Sequence, residues 1–223
     1  MEEIKIVNLY DLNETLAGDY LKGFTYPWEA LSGIGYMIRS LGETLDPGIY
    51  EKKGEDIWIA KSASIHPNVG DIKGPCIIGE NTELRPGAFI RGKVLVGNDC
   101  VVGNSVELKN VILFNHVQVP HLSYVGDSIF GHYAHMGAGS TVSNVKQDKS
   151  LVTVKAGEEK IETGLKKFGA MLGDHVEVGC NSVLNPGTVV GRNSNIYTLV
   201  RVRGVVPANS IMKDEDRIVL KHE

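Results

Sequence analysis

An aliphatic or aromatic residue returns at every sixth position through Ile78, Leu84, Ile90, Val96, Val102, Leu108 and Phe114. Four positions after the first five of these anchors comes a small or β-branched side chain: Thr82, Ala88, Val94, Cys100 and Val106. A period of six fits neither the 3.6 of an α-helix nor the 2 of an ordinary strand over so long a run, and hexapeptide periods are the mark of a parallel β-helix. Each hexapeptide gives one short strand and a turn, three close a triangular coil with the anchors inside, and coil stacks on coil.

A second run is as regular, with anchors Leu172, Val178, Leu184, Val190, Ile196 and Val202. Between the two runs the phase slips near 120 to 130, returns at Met136 and Val142, and is broken by residues 145–170. That stretch alternates around Leu151 to Lys155, turns at Ala156-Gly157 and is rich in lysine, so it reads as a hairpin or loop projecting from the coils. The β-helix is thus expected over 57–210, with 145–170 inserted in it.

Residues 1–56 carry helix-like apolar spacing around Asn13 to Leu21 and Trp28 to Leu45, with Pro27 suited to a first helical turn. A solenoid needs its open end covered, so this segment is expected to cap or flank the first coil. The charged residues from Lys213 to Arg217 give 211–223 the look of a solvated tail.

Only 7% of the chain is aromatic while glycine numbers 26, which suits many tight turns around small aliphatics. A net charge of -4 with no basic run argues against nucleic acid as a partner. No apolar block could serve as a signal or membrane span, so the cytoplasm is the expected location. Cys76, Cys100 and Cys180 are too few and too scattered for a disulfide framework or a cysteine metal site.

The irregular part of the repeat holds the distinctive motifs: Arg-Pro-Gly-Ala at 85–88, Val-Glu-Leu-Lys at 106–109, His-Leu-Ser-Tyr-Val-Gly-Asp at 121–127 and Gly-Ala-Gly-Ser at 137–140. Through these, residues 75–210 resemble the C-terminal acetyltransferase domain of the bifunctional bacterial enzyme that makes UDP-N-acetylglucosamine, and its archaeal sugar-1-phosphate relatives. Together with the period, the resemblance implies an all-β fold, a left-handed parallel β-helix of hexapeptide repeats, to which residues 1–56 add a small helical N-terminal segment. It implies an N-acetyltransferase that moves acetyl from acetyl-CoA to an amino-sugar phosphate similar to glucosamine-1-phosphate. It also implies a homotrimer, because active sites of that family lie between neighbouring β-helices.

Position by position, His121 matches the family's general base, Arg85 and Lys109 the residues that hold the sugar phosphate, and Tyr124 and Asn144 those that contact the sugar. Counting back from Leu172-Gly173-Asp174, Lys167 falls on a substrate-contacting lysine; Ala138 and Cys180 fall where the family meets acetyl-CoA. The chemistry agrees with these types. An amine attacks a thioester only when neutral, a task for an imidazole, and Arg and Lys supply charge-assisted bonds to a phosphate. Residues 1–56 carry no opening of a nucleotidyltransferase domain, so uridyl transfer is not expected.

Two other readings stay open. The His116 and His121 pair resembles the spacing of γ-class carbonic anhydrases, but the stretch Glu80 to Thr82 lacks the third histidine, and no metal ligand is assigned. Val145, His135 and Cys180 replace an aromatic, an asparagine and a serine of the acetyltransferases, which motivates a non-catalytic sugar-phosphate-binding protein. His66, His175 and His222 read as surface or coil-lining side chains, and Asn185-Pro186-Gly187 as turn chemistry.

Overall fold

A computed structural model describes residues 2–221; His222 lies outside them. The hexapeptides form a parallel β-helix with three faces. The first face stacks Ile57–Ala60, Cys76–Ile78 and Val94–Val96 in parallel register. The second stacks Ser64–Ile65, Glu83–Leu84 and Val101–Asn104, and the third Phe89–Ile90 against the start of Glu107–Leu113. Anchors point inward on every face, and Ile78, Leu84, Ile90, Val96, Val102 and Leu108 are all fully buried.

The small residues that precede each anchor fill the corners, and their hydroxyls bond to the next coil. Thr82 Oγ1 donates to the Gly97 carbonyl at 2.7 Å, Ser140 Oγ to Gly179 at 2.8 Å and Ser182 Oγ to Tyr197 at 2.9 Å. Cys100 holds the same corner position and turns its thiol to the Phe114 carbonyl. Burial pushes that thiol's pKa up to about 12, the behaviour of a small core residue.

The period slips twice, once between Val125 and Phe130, within the stretch expected, and once earlier. Val96 pairs with Leu113, not Phe114, and Leu113 pairs with Phe130. The corner from the third face to the first is therefore a residue shorter after Leu108 and again after Val125. In both places one strand, Glu107–Leu113 and then Tyr124–Phe130, runs round the corner unbroken. Phe114, displaced from the anchor position, stays buried by meeting the Tyr10 ring 5.1 Å away.

The N-terminal segment does more than close the first coil. Of the short helices at Leu12–Glu14, Gly18–Leu21, Pro27–Gly33 and Ile34–Gly42, the last two pack against the outside of the first face and Gly18–Leu21 packs on Pro27–Gly33. Pro27 opens the third of these, where the Glu29 carboxylate accepts from the backbone N–H groups of Thr25 and Tyr26 at 2.9 and 2.8 Å. Only on this face is the outward residue beside the anchor also a large aliphatic or Met in coil after coil: Ile77, Leu95, Ile112, Ile129 and Met171, all with no exposed surface. Each is worth about 1.5–3 kcal/mol when covered. Trp28 stacks on Phe168 at 5.6 Å, and the Asp174 N–H donates to the Leu9 carbonyl, so the cover reaches well past the first coil.

The insertion is a hairpin, as expected, but it docks on the coils and does not simply project. Its strands Thr153–Ala156 and Glu159–Glu162 form an antiparallel hairpin, and Val152 and Val154 are fully buried against the later coils. Gly187 and Gly204, both at φ +82°, seat it. A Cβ on either would lie 2.7 Å from the Thr153 carbonyl oxygen or 2.6 Å from that of Lys155. Asn185-Pro186-Gly187 is therefore a docking seat as well as a turn. Beneath the hairpin the ladder continues, since His135 pairs with Glu177 and Thr141 with Val183.

The end of the chain is not a solvated tail up to the limit of the described residues. Ser210–Asp214 extends the second face and pairs with Arg217–Leu220 in a closing hairpin. Among the described residues no helix is long and apolar enough to cross a membrane.

Candidate active site

The residues singled out from the motifs fall along the two edges of the third face. At the corner leading into it, His121, Ala138 and Cys180 each stand two places beyond an anchor, Val119, Met136 and Val178, which stack in register. They form a column along one edge. Arg85 lies lower on that edge, with its guanidinium drawn back onto Glu83 at 3.0 Å. His121 is exposed, and its ring has no hydrogen-bond partner among the described residues. The N–H groups of Ala138 and Cys180 likewise meet no acceptor there, whereas Gly139 N–H donates to the His121 carbonyl at 3.2 Å.

Corner geometry explains why this column is accessible. The position after it has positive φ in coil after coil: Gly87, Ser105, Leu122, Gly139, Asn181 and Leu199. The chain turns sharply there and tips the preceding residue outward. Leu122 and Leu199 are the unusual members, since a leucine at φ 49° or 63° is sterically disfavoured. They are 62% and 79% exposed.

At the opposite edge, Lys109, Tyr124, Asn144 and Lys167 converge although they come from distant parts of the sequence. Lys109 and Gly126 are register partners. Gly126 matters because a Cβ there would meet the Tyr124 hydroxyl at 2.4 Å and the Asn144 amide nitrogen at 2.9 Å. Asn144 Nδ2 lies 3.2 Å from the Tyr124 hydroxyl and donates to Asp127 Oδ2 at 2.5 Å. Asn110 donates to the other Asp127 oxygen at 2.8 Å, while the Asn110 Oδ1 atom is buried without a partner. The end of the insertion is stitched to this cluster, with Phe168 N–H donating to the Asn144 carbonyl and Gly169 N–H to that of Asp127.

Charge at this edge is arranged for an anion. Burial, and then the ammonium of Lys167, hold the Lys109 pKa below its ordinary value, while Asp127 offsets part of the effect. Two cations held side by side are relieved by a phosphate that takes hydrogen bonds from both. Burial and Asp127 push the Tyr124 phenol up, keeping it a hydroxyl donor. Asp127, Gly126 and the Arg91–Glu107 ion pair at 2.5 Å were not assigned from the sequence. Gly126 and Asp127 lie inside the His-Leu-Ser-Tyr-Val-Gly-Asp motif, so a signal for them was present; Arg91 carried none.

The other histidines gather elsewhere. His116, Tyr133 and His175 occupy one corner position in stacked coils, with ring centroids 4.5 and 5.4 Å apart, and His132 meets them edge-on. His116 and His121 thus sit at opposite corners of the second face and cannot share an ion within one chain. Among the described residues no three His, Cys, Asp or Glu side chains are grouped to hold a metal. His135 lies on the second face, paired with Glu177 at 2.7 Å, and Val145 begins the insertion.

Comparisons with known proteins fall on the same stretch. The family model of the GMPPB C-terminal domain matches residues 72–166. The chain is 32% identical over 200 residues to the bifunctional protein GlmU of Methanococcus vannielii, covering 87% of this chain and 47% of that protein. It is 35% identical over 164 residues to the bifunctional sugar-1-phosphate nucleotidylyltransferase/acetyltransferase of Sulfurisphaera tokodaii, covering 63% of this chain and 41% of that one. Among solved structures, a mutant of AntD, an N-acyltransferase from Bacillus cereus in complex with dTDP and Coenzyme A, overlaps with a TM-score of 0.43. Identity there is 15%, over 75% of this chain and 81% of that one. The chain spans about half the length of the GlmU relatives it matches, at 47% for each of the first two. The resemblance drawn from the motifs accordingly extends over most of this chain.

Proposed function

From a kinship that spans most of this chain and about half of each GlmU relative, we propose that the protein is an acetyl-CoA-dependent N-acetyltransferase acting on an amino-sugar phosphate. The observation that carries the reading is the convergence of Lys109, Tyr124, Asn144 and Lys167 on one edge of a face whose other edge bears His121, Ala138 and Cys180.

In this reading Lys109 and Lys167 hold the phosphate, with Arg85 released from Glu83 as a further contact. Tyr124 and Asn144 orient the sugar ring. His121 takes the proton of the amine as its nitrogen attacks the thioester carbonyl carbon. The oxyanion that forms is met by the unengaged N–H groups of the Ala138 and Cys180 corners. Collapse breaks the C–S bond, the proton passes to the departing thiolate, and an amide and free CoA result. No metal takes part in the step, and uridyl transfer is not a function of residues 1–56, which fold as a cover for the coils.

A homotrimer belongs to the same proposal. The exposed Leu122 and Leu199 lie on the edge that carries His121, and covering them with the third face of a neighbouring copy would bring the two edges together from different chains. The cytoplasm is the proposed location.

The test is release of free thiol from acetyl-CoA in the presence of glucosamine-1-phosphate. Turnover that His121→Ala abolishes supports the proposal; turnover no greater than that of His121→Ala overturns it.

A further inference from the structure

A second cationic site lies beyond the cluster just described. Between the inserted hairpin and the last coils opens a cavity of about 750 Å³, lined by Lys146, Lys155, Lys160, Arg201 and Arg203 against the carboxylates of Asp148 and Glu162. Its volume is that of an ordinary ligand pocket.

Several of these charges are already engaged. Lys146 bonds to Ser150 and approaches Asp148 at 3.9 Å, and Arg201 pairs with Glu215. Lys155, Lys160 and Arg203 form no ion pair among the described residues. The hairpin register sets Lys155 directly opposite Lys160. Like charges in that relation repel, a cost a hairpin avoids unless something else answers it. The neighbouring pair Val154 and Ile161 faces the other way, with Val154 fully buried, so the lysine pair is fixed on the cavity side. The close approach of Gly204 to the Lys155 backbone holds Arg203 beside it.

We propose that this groove binds the phosphate groups of a nucleotide-sized ligand, held by Lys155, Lys160 and Arg203. Two sources share that chemistry: the phosphorylated adenosine end of coenzyme A, and a sugar nucleotide. The site is distinct from the residues assigned to acetyl transfer, and binding is read without acceptor sugar, so this proposal and the acetyltransferase reading fail separately.

The test is calorimetric titration of the full chain with coenzyme A, dephospho-coenzyme A and UDP-N-acetylglucosamine. The comparison set is the wild type, K155Q/K160Q, R203Q and, as a control outside the groove, K53Q. The expected result is that at least one nucleotide binds, is weakened about tenfold or more by K155Q/K160Q and by R203Q, and is unchanged by K53Q. Its affinity also falls as salt is raised. Weakening of coenzyme A alone identifies the 3′-phosphate as the occupant, and weakening of UDP-N-acetylglucosamine identifies a sugar nucleotide. Failure of every probe to bind, or equal affinity in wild type and both groove variants, overturns the proposal.

Discussion

The Asn144 side chain donates to the Asp127 carboxylate at 2.5 Å, which ties the residue at the mouth of the insertion to a buried acid one coil below. Asp127 is only 6% exposed and also accepts from Asn110. Replacing it with alanine leaves two half-buried amides short of an acceptor, so Asp127→Ala is expected to cost about 1–3 kcal/mol. Urea unfolding measures that loss. Asp127→Asn keeps the shape but only one of the two acceptors and is expected to lie between the wild type and Asp127→Ala.

Lys109 provides a pH signature. Its lowered pKa means that the folded chain releases this proton at lower pH than the unfolded chain does, so stability rises with pH between the lowered value and the ordinary 10.5. A phosphate bound by the charged ammonium opposes this, and its affinity is expected to fall as pH rises through the lowered value. Urea unfolding followed against pH checks the first direction, and titrating glucosamine-1-phosphate binding against pH checks the second. Lys109→Met is expected to remove that limb of the profile.

The cysteines separate by accessibility. Cys76 and Cys100 are 0% and 1% exposed and their thiols are held up by burial, whereas Cys180 is exposed on the proposed acetyl-CoA edge. A thiol reagent is expected to modify Cys180 alone in the folded protein, and all three cysteines after denaturation. Mass spectrometry gives the count, and coenzyme A is expected to slow the native reaction.

Trp28 tests the cover over the first face. It is 3% exposed and stacked between Tyr26 at 4.6 Å and Phe168 at 5.6 Å. Trp28→Ala is expected to cost about 3–5 kcal/mol in unfolding free energy. If the N-terminal segment only closed the first coil, the same change would leave the coils around Phe168 as protected from hydrogen exchange as before. Exchange measured at residues 168–172 distinguishes the two.

The six-residue period made the coils legible because every anchor faces one core, and a slip of one residue is visible against it. The slip near 125–130 was legible, but the earlier one was not. Leu113 and Phe114 are both apolar, and only pairing with Val96 decides between them. The lateral cover did leave a trace, since Ile77, Leu95, Ile112, Ile129 and Met171 double the apolar positions on one face while Glu83, Gln118 and Glu177 keep the second face polar. Reading it requires knowing which hexapeptides share a face. Asp127 lay inside a recognised motif, but its role depends on Asn110 and Asn144 arriving from other coils. The docking of the hairpin depends on Gly187 and Gly204, whose seats exist only once the chain has coiled.

Residues on either side of the insertion remain partners across 42 positions, as His135 and Glu177 do, where ordinary neighbouring coils stand 17 or 18 apart. The rails of the ladder pass beneath the inserted segment as though it were absent. Its length and sequence can therefore drift without disturbing the register of any rung, and what drifts with them is the shape and charge of the groove it walls. Selectivity for a ligand can change in this architecture while the load-carrying frame stays as it was.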